Sequence, residues 1–193
     1  MARNVEIKAK VRDRQEIVRL AKELTGEEPT ILKQHDIFYK SPQGRLKMRT
    51  VEEKGVVRTE LIWYNRPDVA GPKLCEYNKF DVPSDILSAL QETLRCSMGI
   101  KGEVKKTRTL FIFERTRIHI DSVEGLGDFM ELEMSYFSFM SNTNGHWLYV
   151  QVCLREDEST SGGQRVADEI RQKLGVLTED LLEGAYMDML NES

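Results

Sequence analysis

Run after run of alternating polar and apolar residues, punctuated by Gly and Pro, predicts a mostly antiparallel α+β domain. Three observations carry that prediction. The runs have the period-2 spacing of strands that bury one face. The segments with helical spacing fall between groups of strands, which favours antiparallel pairing over a parallel βαβ sheet. Lys and Arg recur at alternate positions in several of the runs, so the polar faces are charged as well as hydrophilic.

The first run is Asn4 to Lys10, with Asn4, Glu6, Lys8 and Lys10 on one face. Asp13-Arg14-Gln15-Glu16 has capping-box spacing, and Ile17, Leu20, Ala21 and Leu24 then define an amphipathic helix that ends near Gly26. Residues 31–39 read as a strand, and Pro42-Gln43-Gly44 as a turn. Arg45, Lys47 and Arg49 share one face of the next strand, with Leu46 and Met48 on the other. After a turn at Glu53-Lys54-Gly55, a long strand from Val56 to Arg66 shows Arg58, Glu60, Ile62, Tyr64 and Arg66 on one face. A Gly- and Pro-bearing loop covers 67–73, and Glu76 to Val82 is a short strand.

Pro83-Ser84 opens a second helix, striped by Leu87, Leu90 and Leu94 and stopped by Gly99. Val104 to Phe113 places Lys106 and Arg108 together. A return strand over 112–121 aligns Arg115, Arg117, His119 and Asp121. Beyond the turn at 124–127, a strand from Asp128 to Met134 carries Phe129, Glu131 and Glu133 on one side. Met134 to Leu154 has no formal charge, but Ser, Asn, Thr, Gly and His interrupt it, so it is not a membrane span. Its Asn144-Gly145 step resembles a hairpin turn. A polar loop over 155–163 leads to a helix spaced by Val166, Ile170 and Leu174. Thr178 opens a last helix with Leu182, Ala185, Tyr186 and Met189 inward. The total is seven or eight strands and four helices.

A chain of 193 residues supports one substantial domain and is marginal for two. The formal charge of −4 excludes a polycation seeking duplex nucleic acid. Cys75, Cys96 and Cys153 form no CxxC and no disulfide framework, which fits a reducing compartment. With no apolar run of membrane-spanning length and no signal-like start, the expectation is a soluble cytoplasmic protein with no membrane partner.

Charged faces on most strands, opposite apolar faces covered by helices, imply a closed or strongly curved sheet with a hydrophilic interior. Lys8, Lys10, Lys47, Arg49, Arg58, Arg66, Lys106, Arg108, Arg115 and Arg117 would point into it. So would Glu6, Glu60, Asp121, Glu131 and Glu133. So many charges need water, one another or a multiply charged ligand. Arg and Lys suit phosphate oxygens, and carboxylates among them suit a hard divalent cation, Mg²⁺ or Mn²⁺. Together they describe a site for a polyphosphate bound with a metal.

Four segments carry a family resemblance: Val5-Glu6-Ile7-Lys8, Leu46-Lys47-Met48-Arg49, Arg117-Ile118-His119-Ile120-Asp121, and Gly125-Leu126-Gly127-Asp128-Phe129-Met130-Glu131-Leu132-Glu133. In this order they resemble the CYTH superfamily, the triphosphate tunnel metalloenzymes, and within it the class IV adenylate cyclase-like branch. The resemblance covers nearly the whole of 1–193. It implies an antiparallel eight-stranded β-barrel, a tunnel with a polar interior, flanked by about four helices. It also implies a metal-dependent enzyme that hydrolyses a nucleoside, organic or inorganic triphosphate. ATP, thiamine triphosphate and tripolyphosphate are the candidate substrates. The alternatives are an adenylate cyclase, or a polyphosphate- or nucleotide-binding module that has lost efficient catalysis; a homodimer is a further expectation.

By the same resemblance Lys8, Lys47, Arg49, Lys106 and Arg108 hold phosphates, joined by the inward-directed Lys10, Arg66 and Arg117. Glu6, Asp121, Glu131 and Glu133 are the expected metal ligands, with Glu6 and Glu131 also the catalytic carboxylates. Two features depart from the family pattern. Asn4 stands where the opening Glu-x-Glu-x-Lys motif has its first Glu, which supplies an oxygen but no charge. Residues 135–151 look inserted, as an extra hairpin or as an interruption of a tunnel strand.

Overall fold

The computed structural model describes residues 2–134, 136–137, 140–141, 147–148, 151–152 and 160–192. The strands are β1 (Ala2–Lys10), β2 (Thr30–Tyr39), β3 (Arg45–Glu53), β4 (Val56–Asn65), β5 (Lys73–Asp81), β6 (Ile100–Phe113), β7 (Thr116–Val123) and β8 (Gly127–Met134). They pair antiparallel in the order β1-β5-β4-β3-β2-β6-β7-β8, and β1 returns to β8 to close the barrel. Closure leaves no unpaired edge in this sheet and turns the two faces of every strand into an inside and an outside.

The outside of β1, β6, β7 and β8 is apolar. Val5, Ile7, Phe111, Ile118, Ile120, Met130 and Leu132 form one buried cluster there. Helices α1 (Arg14–Thr25) and α3 (Thr160–Lys173) cover it with Ile17, Ala21, Ala167 and Ile170. Asp13 caps α1, its Oδ1 accepting from the backbone N–H of Gln15 at 2.9 Å and of Glu16 at 3.0 Å. Helix α2 (Leu87–Met98) starts four residues after Pro83 and has no buried residue; Leu87, Leu90 and Leu94 are half-buried.

A second cluster lies at one end of the barrel. Phe38, Ile62, Tyr64, Val104 and Phe129 meet Tyr186 and Met187 of α4 (Tyr186–Glu192). The last helix therefore begins at Tyr186, eight residues later than Thr178. From Thr178 the chain makes a single 3₁₀ turn to Asp180 and then runs extended to pair with the end of β1. Leu181 bridges Ala9, and the Leu182 N–H donates to the Lys8 carbonyl at 2.9 Å. Gly184, at φ +69°, makes the left-handed bend that lets α4 start. The Asp188 side chain then caps α4 by accepting from the Ala185 N–H.

In the uncharged segment, β9 (Tyr136–Phe137) pairs with β12 (Gln151–Val152), and β10 (Met140–Ser141) pairs with β11 (Trp147–Leu148). Both pairs keep one antiparallel register, as the two arms of a hairpin do, and neither joins the barrel sheet. The Asn144-Gly145 turn, the side chain of Cys153 and most of the polar loop at 155–163 lie outside the described residues. No helix among the described residues is long and apolar enough to cross a membrane.

Ile118 is fully buried at the centre of the cluster between barrel and helices. Ile118→Ala should lower the free energy of unfolding in urea by about 2–5 kcal/mol. A loss below about 0.5 kcal/mol would place the stabilising core elsewhere.

Candidate active site

The interior of the barrel is a cavity of about 190 Å³, far above the roughly 15 Å³ that one water needs. Its walls carry nine Lys and Arg side chains against five Asp and Glu. Each strand contributes through the face its alternation turns inward: Glu6 and Lys8 from β1, Lys47 and Arg49 from β3, Lys106 and Arg108 from β6, Arg117 and His119 from β7, Glu131 and Glu133 from β8. Arg66 follows β4 into the same space.

Two groups of ions stand side by side on the wall, one across β2 and β3 and the other across β6 and β7, with β2 paired to β6. In the first Asp36 of β2 accepts from Arg49 Nε and Nη2, each at 2.7 Å, and from Lys47 Nζ at 3.1 Å. In the second Asp121 of β7 accepts from Arg108 Nε and Nη2 and from Lys106 Nζ, all at 2.7 Å. The Tyr186 hydroxyl also donates to Asp121, at 3.2 Å. Burial alone would raise both Asp pKa values, but the adjacent cations overcome it and hold both carboxyls below their ordinary range. Burial lowers the pKa of Lys47 to about 8, with Arg49 adding repulsion and Asp36 partly restoring it. Lys8 is lowered to about 8 for the same first reason, although Glu131 lies 3.3 Å away.

The remaining carboxylates open onto the cavity. Glu131 accepts from Arg108 at 2.7 Å, Glu133 accepts from the Asn4 amide at 2.7 Å, and Glu6 pairs with Arg66 at 2.5 Å. Glu6 has a raised pKa, because burial and then the neighbouring Glu131 outweigh Arg66. His119 sits between Glu131 and Glu133, at 3.9 and 3.8 Å. Burial lowers its pKa to about 4, so its imidazole is neutral near pH 7. Cys75 lines the cavity too, and burial raises its thiol pKa, which keeps it protonated.

Most of the expected residues meet in this one space, but three do not. Lys10, the last residue of β1, is exposed at the end of the barrel and does not line the cavity. Arg115 is exposed in the β6–β7 turn, because Glu114 takes a left-handed φ of +51° and the turn falls between the two strands. Asp121 lies behind the cavity wall, fully buried, with both oxygens engaged by Lys106, Arg108 and Tyr186. Asp36 was not singled out, although it occupies the inward face of β2 between Gln34 and Phe38. Tyr186 enters from α4, with Lys8 Nζ 3.7 Å and Lys106 Nζ 4.8 Å from its ring centre.

Glu6, Glu131 and Glu133 offer oxygen donors to the cavity, with the His119 imidazole beside the last two. Among the described residues no three His, Cys, Asp or Glu are grouped so as to hold an ion by themselves. That arrangement fits a hard cation bound through one or two carboxylates and completed by water and substrate phosphates. The buried Asn4 Oδ1, on the amide that donates to Glu133, has no hydrogen-bond partner among the described residues.

Solved structures share this fold. The chain resembles PH1819 of Pyrococcus horikoshii OT3 at a TM-score of 0.75 and 20% identity, over 98% of each chain. It resembles PH1012 of the same organism at 0.71 and 19%, covering 96% of this chain and 98% of that one. HpAC1 of Hippeastrum, described as an adenylyl cyclase candidate with a dominant triphosphatase activity, matches at 0.62 and 12%, over 98% of this chain and 95% of its own. No curated protein matches the sequence. The family model for the CYTH domain matches residues 2–136, which include all eight barrel strands, and the chain belongs to the CYTH family.

Proposed function

We propose that this protein is a metal-dependent enzyme that hydrolyses a triphosphate held inside the barrel. The observation that carries this reading is the cation excess of an interior cavity that also presents carboxylates, within a CYTH domain. Lys47 and Arg49 on β3 and Lys106 and Arg108 on β6, either side of β2, would take the phosphoryl oxygens, Arg through its fork and Lys as a point charge. Lys8, Arg66 and Arg117 extend the cationic lining. Because the groups are already oriented, little reorganisation is needed as charge develops on the transferred phosphoryl group.

Glu131 and Glu133 are the carboxylates placed to share a divalent cation with the substrate, and Mg²⁺ or Mn²⁺ suits their oxygens. Such an ion would neutralise charge on the phosphoryl oxygens. Glu6, with its raised pKa, is the carboxylate suited to accept a proton from the attacking water. Hydrolysis asks for fewer base contacts than cyclisation, and the Hippeastrum neighbour's dominant triphosphatase activity supports the same choice. Asn4 donating to Glu133 where a second carboxylate is expected favours the alternative of a binding module with weak catalysis.

Phosphate release from ATP, thiamine triphosphate and tripolyphosphate with Mg²⁺ or Mn²⁺ tests the reading, with Glu131→Ala as the inactive control. Turnover of at least one substrate that Glu131→Ala abolishes is expected. Cyclic AMP as the main product from ATP would make the protein a cyclase. Tight binding with no turnover would make it a binding module.

Lys47→Ala should weaken tripolyphosphate binding by about 1–3 kcal/mol, the loss expected for a hydrogen bond to a charged group. Binding should also depend on pH with a defined sign. A bound polyanion raises the Lys47 pKa above its free value of about 8. Affinity should therefore be level below pH 8 and fall as the pH rises above it. Calorimetric titration from pH 6.5 to 9.5 measures this; affinity rising with pH would contradict the assignment.

A further inference from the structure

The two ion groups are one arrangement built twice. In each, a Lys and an Arg two residues apart project from one strand, and an Asp on the neighbouring strand grips both. The register is the same in both places: Asp36 lies directly across from Arg49, and Asp121 directly across from Arg108. Each Asp takes the Nε and Nη2 edge of its Arg. The bidentate grip uses one edge of the guanidinium and leaves its Nη1 side for another partner. Both Asp are buried, Asp36 3% and Asp121 0% exposed, and both oxygens of each are taken by its Lys and Arg.

We infer that Asp36 is a positioning residue, which fixes Lys47 and Arg49 in the geometry that takes up phosphate, and that Asp121 does the same for Lys106 and Arg108. The inference rests on the triphosphate reading of the cavity. It assigns to two buried acids the role of orienting their cation partners.

Two opposing effects make the inference decidable. Neutralising Asp36 makes the cavity more positive, and charge alone would then tighten the grip on a polyanion. If the Asp works by orientation, the Arg fork and the Lys lose their fixed geometry, and binding weakens although the charge has moved in favour of the anion. Asp36 is the cleaner site to test, because Asp121 is also bound by Tyr186 and its Arg reaches Glu131. Lys47 is faced by Asp36 from β2, Arg49 on its own strand, Lys106 from β6, and the Phe38 and Tyr64 rings at 5.5 and 5.3 Å.

The experiment titrates wild type, Asp36→Asn and Asp36→Glu with tripolyphosphate by calorimetry, without divalent metal, at pH 6.5 and across the alkaline range. The folded state of each is checked by circular dichroism. Asp36→Glu keeps the charge and lengthens the side chain by one methylene, so it tests position even if the Asn variant does not fold. Both variants should bind about tenfold more weakly or worse at pH 6.5. In Asp36→Asn the alkaline loss of affinity should also begin at lower pH, because Lys47 has lost its counter-ion. In Asp36→Glu it should begin near the wild-type pH. Unchanged or tighter binding at pH 6.5 by the folded variants would overturn the inference. A wild type that does not bind tripolyphosphate would overturn the triphosphate reading as well, and the two failures are distinguished by that control.

Discussion

Charges placed inside a barrel must be compensated where they stand. Removing a carboxylate or guanidinium from water costs several kcal/mol unless a partner and further hydrogen bonds replace the lost hydration. The interior meets that demand by strand pairing. Asp36 lies across from Arg49 and Asp121 across from Arg108, so the antiparallel register that holds the wall together also neutralises what the wall points inward. Glu6 with Arg66 and Lys8 with Glu131 extend the same pairing around the ring. A slip of one residue in either ladder would turn these charges toward the apolar outer face. Fold and site are thus specified by one pattern.

The outer face explains why the barrel tolerates such an interior. Val5, Ile7, Ile118, Ile120, Met130 and Leu132 are buried under α1 and α3, and they supply the apolar burial that a polar interior withholds. At one end Tyr186, Met187 and Phe129 bring aromatic and apolar surface up to Lys8 and Lys106. The cations there are held by rings and by the Gly184 carbonyl, which accepts from Lys8 and Arg66.

Period-2 alternation made the eight strands, their inward faces and most of the cavity wall legible. The inward faces read from Glu6-x-Lys8 and from Lys47-x-Arg49 are the ones that line the cavity. What the pattern could not convey is where alternation stops meaning inside. Lys10 continues the charged face in sequence, but it is the last residue of β1, exposed at the barrel's end beyond the cavity. Arg115 stands in phase with Arg117, yet a turn at Glu114 intervenes. The helical spacing from Leu182 to Met189 is real only from Tyr186, because pairing with β1 holds the residues before it extended. Asp36 was visible as an acid on an alternating strand, but its importance arises from the cross-strand partner, which a single strand does not reveal.

The central claim is that the two Lys-x-Arg pairs, on β3 and β6 either side of β2, together hold a chain of phosphates. A crystal structure of the protein with tripolyphosphate and Mn²⁺ tests it most directly. The account places phosphoryl oxygens within hydrogen-bond distance of Lys47 and Arg49 on β3 and of Lys106 and Arg108 on β6, with Asp36 and Asp121 still gripping their Arg partners. Tripolyphosphate bound outside the barrel, or both Asp carboxylates swung away to coordinate manganese, would contradict it.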